Sequence, residues 1–153
     1  MKTEIKTKVN VIIEKKNLQT GKVRIEQYHN TAVDSGLNLI RDFMNGDAVT
    51  GLERFAIGTG TTAETTSDTQ LEDEVFRDQF TKVDKVDKGL EIQYYLGSQY
   101  ANGNVISEAG LFGNGATDTL NSGTMYARVT FPGEEKTSAE AWTFRWTLTW
   151  EVT

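Results

Sequence analysis

Polar and apolar residues alternate with a period of two over most of the chain, which predicts strands with one face turned inward. The last segment is the clearest case. Trp142, Phe144, Trp146, Leu148, Trp150 and Val152 fall on one face, and Thr143, Arg145, Thr147, Thr149, Glu151 and Thr153 on the other. A helix at 3.6 residues per turn would scatter those tryptophans around its axis. Burying the four aromatics of this face is worth up to ~20 kcal/mol before entropy, which predicts a central core strand. Ile5, Thr7, Val9, Val11 and Ile13 alternate with Glu4, Lys6, Lys8 and Asn10. Turn residues from Asn17 to Gly21 lead into a second strand, Val23 to Tyr28. Further strands are expected at Arg54 to Gly58, Val75 to Val86, Leu90 to Leu96, Val105 to Phe112 and Met125 to Phe131. Asp87-Lys88-Gly89 would turn one hairpin, and Pro132-Gly133 would stop the penultimate strand. Seven or eight short strands with polar turns predict an all-β antiparallel sandwich.

One stretch departs from this period. Val33, Leu37, Ile40 and Met44 sit at i, i+4, i+7 and i+11, which predicts an amphipathic helix within residues 31–45. Thr31 and Asp34 resemble a capping box, and Asn45-Gly46 supplies a stop. Gly36 works against this helix by about 1 kcal/mol of propensity. Two stretches rich in Thr, Ser and Gly, Gly58 to Gln70 and Gly113 to Gly123, read as long loops, where a rigid scaffold commonly carries its contacts. No linker or internal repeat divides the chain, so residues 1–153 are expected to form one domain, with 1–29 as an N-terminal hairpin.

Composition narrows the function. The chain of 153 residues has no cysteine and one histidine, His29, which leaves no disulfide framework, zinc knuckle or thiol nucleophile. No apolar run reaches the ~20 residues of a membrane-spanning helix. The first six residues lack the apolar core of a signal peptide, so synthesis in the cytoplasm is expected. The net charge of −6 argues against nucleic acid as a partner. That charge is unevenly spread: residues 1–30 hold seven Lys/Arg against three Asp/Glu, and the remainder nine against 19. A basic end on an acidic body suits docking between subunits, and lysines also guard exposed sheet edges.

Chemistry is sparse. Gly58-Thr59-Gly60-Thr61-Thr62 lacks the Lys-Ser/Thr of a phosphate loop and is expected to be a glycine turn leaving a strand. Glu72, Asp73, Glu74 and Asp78 form an acidic run better explained by a solvated strand start than by a metal site. His29, between a strand and the helix, is expected to be a hydrogen-bonded junction residue. Glu108 shares its face with Ile106 and Phe112 by simple alternation. If buried, it requires a cationic partner, and Arg77 or Arg128 would supply one. No catalytic residue, metal or cofactor is expected.

The ordered set Phe55-Ala56-Ile57-Gly58-Thr59-Gly60, Leu71-x-x-Glu74-x-x-Arg77, Ile106-Ser107-Glu108-Ala109-Gly110-Leu111-Phe112, Gly123-Thr124-Met125-Tyr126-Ala127-Arg128-Val129-Thr130-Phe131 and Lys136, closed by a Thr/Trp-rich strand, resembles the N-terminal domain of bacteriophage tail-collar fibre proteins. It runs from about Asn30 to Thr153. The resemblance implies a virion structural protein without enzymatic activity, a tail, collar or fibre-attachment module whose partners are other virion proteins and copies of itself. Fibre proteins continue into long shafts whereas this chain ends at Thr153, so a stand-alone adaptor or a capsid decoration protein is expected rather than a whole fibre. Candidate partner contacts are Lys2, Lys6, Lys8, Lys22 and Arg24 of the basic hairpin and Thr61, Thr62, Thr117 and Asp118 of the loops. Glu74 with Arg77 and Glu108 with Arg128 are candidate structural ion pairs. A carbohydrate-binding module is the rival reading: Tyr94, Tyr95, Tyr100 and Tyr126 would stack host glycans, with Asp73 or Asp118 as acceptors. A glycosidase would need two carboxylates facing each other across a cleft.

Overall fold

The computed structural model describes residues 2–30 and 32–153. Nine strands form two antiparallel sheets, as period two requires. They are β1 (Ile5–Asn17), β2 (Val23–Asn30), β3 (Leu52–Gly58), β4 (Glu74–Gln79), β5 (Lys82–Val86), β6 (Gly89–Leu96), β7 (Val105–Gly113), β8 (Thr124–Glu135) and β9 (Glu140–Val152), with helix α1 (Asp34–Met44) after β2. The larger sheet runs β2-β1-β9-β6-β5 and the smaller β4-β3-β7-β8. The protein is an all-β sandwich.

The inward face of β9 fills the space between the sheets: Trp142, Phe144, Trp146 and Leu148 are fully buried. Val9, Val11 and Ile13 of β1 flank them, and Phe55 of the opposite sheet stacks on Tyr94 (4.5 Å between centroids) and tilts against Phe144 (4.8 Å). The core does not follow β9 to its end. Trp150 is half-buried, and Val152, paired with Ile5, is exposed. The 13-residue strands β1 and β9 outrun the opposing sheet, so alternation continues where nothing covers it.

Pro132-Gly133 does not stop the penultimate strand: β8 carries both residues on to Glu135, because it is an edge strand and a missing N–H there need break no ladder. Three other sequence expectations are corrected. Val75 to Val86 is not one strand. The chain crosses between sheets at Phe80-Thr81, leaving β4 in the smaller sheet and β5 in the larger, where Thr81 N–H donates to the Gln93 carbonyl (2.9 Å). The two halves differ in burial as well: Val75 and Phe76 of β4 pack against the core, whereas Val83 and Val86 of β5 are exposed. Helix α1 is rotated from its expected stripe: Val33, Gly36 and Leu39 are buried, whereas Leu37 and Met44 are exposed. Gly36 sets that contact. A Cβ there would lie 2.5 Å from the Tyr126 carbonyl oxygen, so only glycine lets the helix sit directly on the β8 backbone. Val33 occupies the N-cap position without a side-chain cap bond, and Thr31 lies outside the described residues. The third correction concerns β7, where strict alternation fails. Register shifts at Ile106/Glu108, Ile106 joins the main core, and Glu108 faces the opposite side with Phe112.

That opposite side is not solvent. Ala56, Phe112 and Met125 of the smaller sheet pack under Val33, Leu71 and Ala116 in a second apolar cluster. The two long loops thus form a third layer.

Candidate functional site

Each loop of this third layer is fastened by one buried glutamate–arginine pair. Glu108 on β7 is wholly buried, and its carboxylate accepts from the backbone N–H groups of Gly60 (3.0 Å), Glu72 (3.0 Å) and Asp73 (2.8 Å) and from Arg128 Nε (2.9 Å). Arg128 on β8 sits across from Gly110 of β7. Its other nitrogens donate to the Thr62 carbonyl (2.8 Å) and to Asp68 (2.9 Å). Ser107 Oγ donates to the Gly60 carbonyl (2.6 Å). Gly60 must be glycine, because a Cβ would lie 2.6 Å from Glu108 Oε1 and 2.5 Å from the Glu72 Cβ. The glycine-rich turn thus gives one backbone N–H, that of Gly60, to an anion, the chain's own Glu108, and Glu72 and Asp73 supply the other two.

The second pair holds the other loop. Glu74 and Arg77 make a bidentate pair (2.7 and 2.8 Å) with both side chains fully buried. Arg77 Nη1 donates to the carbonyls of Thr117 (3.1 Å) and Ser122 (2.9 Å), Asn121 N–H donates to Glu74 (3.1 Å), and the guanidinium lies 4.6 Å from the centre of the Phe112 ring. Of the two cations considered for Glu108, Arg128 is its partner and Arg77 belongs to Glu74.

Two further cations, Lys15 and Lys136, are buried. Lys15 continues the inward register of Val9, Val11 and Ile13 and is buried beneath Trp142, 4.2 Å from the ring centre. It pairs with Glu26 (2.7 Å) and Glu134 (2.6 Å). Arg24 joins Glu134 and Glu140 (3.2 Å), so the β1–β2 hairpin is clamped to β8 of the opposite sheet. A lysine at an inward-facing position of an alternating strand was the signal for this clamp. Lys136 carried no such signal. It is buried, and its ammonium donates to the Gly97 carbonyl (3.2 Å), Asn102 Oδ1 (3.0 Å) and the Thr137 carbonyl (3.0 Å), which ties down the 97–104 loop.

These environments shift protonation in defined directions. Burial works to raise Asp68 and Glu134. Thr65 and Arg128 outweigh it for Asp68, and Arg24 and Lys15 for Glu134, so both carboxyls lie below their ordinary range. Burial pushes the Tyr126 hydroxyl up to about 12 and lowers the Lys136 ammonium.

The expected contact residues divide. Lys2, Lys6, Lys8 and Lys22 are exposed, Lys2 beside Glu4 (2.8 Å) and Lys8 beside Glu151 (2.8 Å). Lys6 and Lys8 lie on β1, an interior strand of the larger sheet, and Arg24 is engaged within its own chain. Thr61, Thr62, Thr117 and Asp118 are exposed. Thr62 and Thr117 nonetheless give their carbonyls to Arg128 and Arg77, and Asp118 meets Arg54 (3.1 Å).

Of the tyrosines offered as glycan platforms, Tyr94 and Tyr126 are core residues, and Tyr94 donates to Asp78 (2.9 Å). Tyr95 and Tyr100 are exposed, and the ring partner of Tyr100 is Phe76 at 5.5 Å. The acidic run is consumed locally: Glu72 accepts from Thr62 N–H (3.0 Å), Asp73 from Thr59 (2.5 Å), Glu74 from Arg77 and Asp78 from Tyr94. Among the described residues, no three His, Cys, Asp or Glu side chains converge as a metal would require. His29 is exposed on β2, with Nδ1 against the Asn10 side chain. Trp150 lines an apolar cleft of about 260 Å³ with Leu39, Ile40, Phe43, Tyr126 and Leu148, and no acid lines it. Comparison with known family models, curated proteins and solved structures finds no match to this chain.

Proposed function

We propose that this chain is a non-enzymatic structural protein of a bacteriophage particle, a tail, collar or fibre-attachment module that docks onto other virion proteins. One observation carries the reading. The residues that resemble the tail-collar pattern are the ones that close the third layer: Gly60, Glu74, Arg77, Glu108, Phe112 and Arg128. A pattern whose residues fasten loops to a sheet specifies a rigid module, and rigidity is what a particle component offers its neighbours. The acids that would be called on for catalysis are spent on N–H groups and guanidinium groups of the same chain. Exposed lysines on β1 and the exposed loop threonines remain for contacts.

The test is to locate the chain on purified particles by imaging, with K6E/K8E as the variant. The expected result is density for the chain at the tail, collar or fibre base, with occupancy reduced in the variant while the purified variant stays folded. Density over the capsid surface would make it a decoration protein instead. Absence from purified particles would overturn the virion reading.

A further inference from the structure

We propose that two copies of this chain pair edge to edge through β2, joining their larger sheets into one continuous ten-stranded sheet about a two-fold axis. A sandwich of this kind has four edge strands, and open edges invite pairing unless something blocks them. Three of the four are blocked. β5 is five residues long and carries Lys82, Asp84 and Lys85. β4 is six residues long, with a register shift opposite Ile57/Gly58. β8 contains Pro132, and its edge is covered by the Ala32–Ala127 bridge, by Val33 N–H on the Tyr126 carbonyl (3.0 Å) and by Ser35 on the Met125 carbonyl (2.7 Å).

β2 is longer than β4 and β5 and has no proline, register shift or covering segment among the described residues. It keeps unbroken register with β1 from Asn30 to Val23 and contains no proline or glycine. Among the described residues, the backbone of Val23–His29 makes no hydrogen bond beyond its ladder with β1. Its charged residues, Arg24 and Glu26, face the side of Lys15 and Glu134 rather than guarding the edge, and Ile25 stands 69% exposed between them.

Charge selects the register. An antiparallel two-fold pairing sets residues of one face opposite each other. Centring it on Arg24 or on Glu26 would oppose like charges, which destabilises a cross-strand pair. Centring it on Gln27 leaves Ile25 against a histidine and pairs neither charge. Centring it on Ile25 places Arg24 opposite the partner's Glu26 and Glu26 opposite the partner's Arg24, and brings the two exposed isoleucines together. Arg24 keeps half its side chain exposed and so remains able to make the second contact.

The chain contains no cysteine, which makes the test clean. Residues opposite each other across an antiparallel pair lie about 4.5–5.5 Å apart at Cα, within disulfide reach. The unmodified chain is expected to sediment at twice its 17.1 kDa mass, and I25K, which opposes two lysines, at its monomer mass with the far-UV circular dichroism of a folded sandwich and a Tm that no longer depends on concentration. I25C is expected to cross-link to itself on oxidation. V23C and Q27C are expected to cross-link when mixed and not singly, and V83C on β5 to stay uncross-linked. A monomer at the highest soluble concentration would overturn the proposal. So would a dimer that survives I25K, or I25C cross-linking no faster than V83C. The pairing stands apart from the virion reading, since the locations sought on particles are indifferent to the mass of the free chain.

Discussion

Replacing Glu108 with glutamine removes one charge and almost no volume, so its effect isolates what the carboxylate does. Oε1 accepts from Gly60 and Asp73 N–H, and Oε2 from Glu72 N–H and Arg128 Nε. Whichever oxygen becomes the amide NH2, it will face two donors, and both lose their acceptor. Asp68 and the Thr62 carbonyl stay with Arg128, but the guanidinium loses its fully buried counter-charge. Breaking a buried pair from one side costs about 3–5 kcal/mol, against a total stability of about 5–15 kcal/mol for a protein. At ~2–4 °C per kcal/mol for a chain of this size, Tm should fall by roughly 10 °C. Thermal unfolding followed by circular dichroism measures the global loss. Amide exchange adds the local signature: Gly60, Glu72 and Asp73 should exchange much faster, while the β9 amides change only as far as global stability falls. A melting point within about 2 °C of the unmodified chain, equivalent to under ~1 kcal/mol, with those three amides still protected, would refute the assignment of Glu108 as the anchor of the 59–73 loop.

Three other outcomes are expected. G36A, which in an open helix would gain about 1 kcal/mol, should destabilise by about 1–3 kcal/mol in denaturant unfolding, because its Cβ would meet the Tyr126 backbone at 2.5–2.9 Å. K136M strands three acceptors and should lower stability by about 1–3 kcal/mol, with faster exchange confined to residues 97–104. Asp68 and Glu134 have folded values below their unfolded ones, so their contribution is present above the unfolded carboxylate range near pH ~4 and is lost as pH falls through the lower folded values. Stability should thus decline on acidification below that range, and D68N/E134Q should flatten the acid limb of a stability–pH series.

Local pattern along the chain is enough to predict the two sheets. The Trp142 to Leu148 face, the Val9 to Ile13 face and the turns at Asn17–Gly21 and Asp87–Gly89 are local patterns, and burial of apolar area enforces them wherever the neighbours lie. The need of Glu108 for a cation was legible too, because a carboxylate on an apolar strand has few ways to be stable. Which arginine answered it was decided by strand order: β7 pairs with β8, bringing Arg128 to Glu108, while β4 keeps Arg77 with Glu74. The tertiary structure also decided what period two cannot express. It broke Val75 to Val86 between sheets, turned Ile106 away from Glu108 and rotated α1 onto its glycine. It also laid the two polar loops over the smaller sheet as a third layer, largely exposed themselves but closing a buried apolar cluster beneath them. Periodicity encodes which side of a strand is apolar. It carries no information about how far the opposing sheet extends, where a register shift falls, or which distant backbone N–H groups arrive at a buried carboxylate. Those are properties of the assembled chain, fixed by packing and hydrogen-bond satisfaction among residues far apart in sequence.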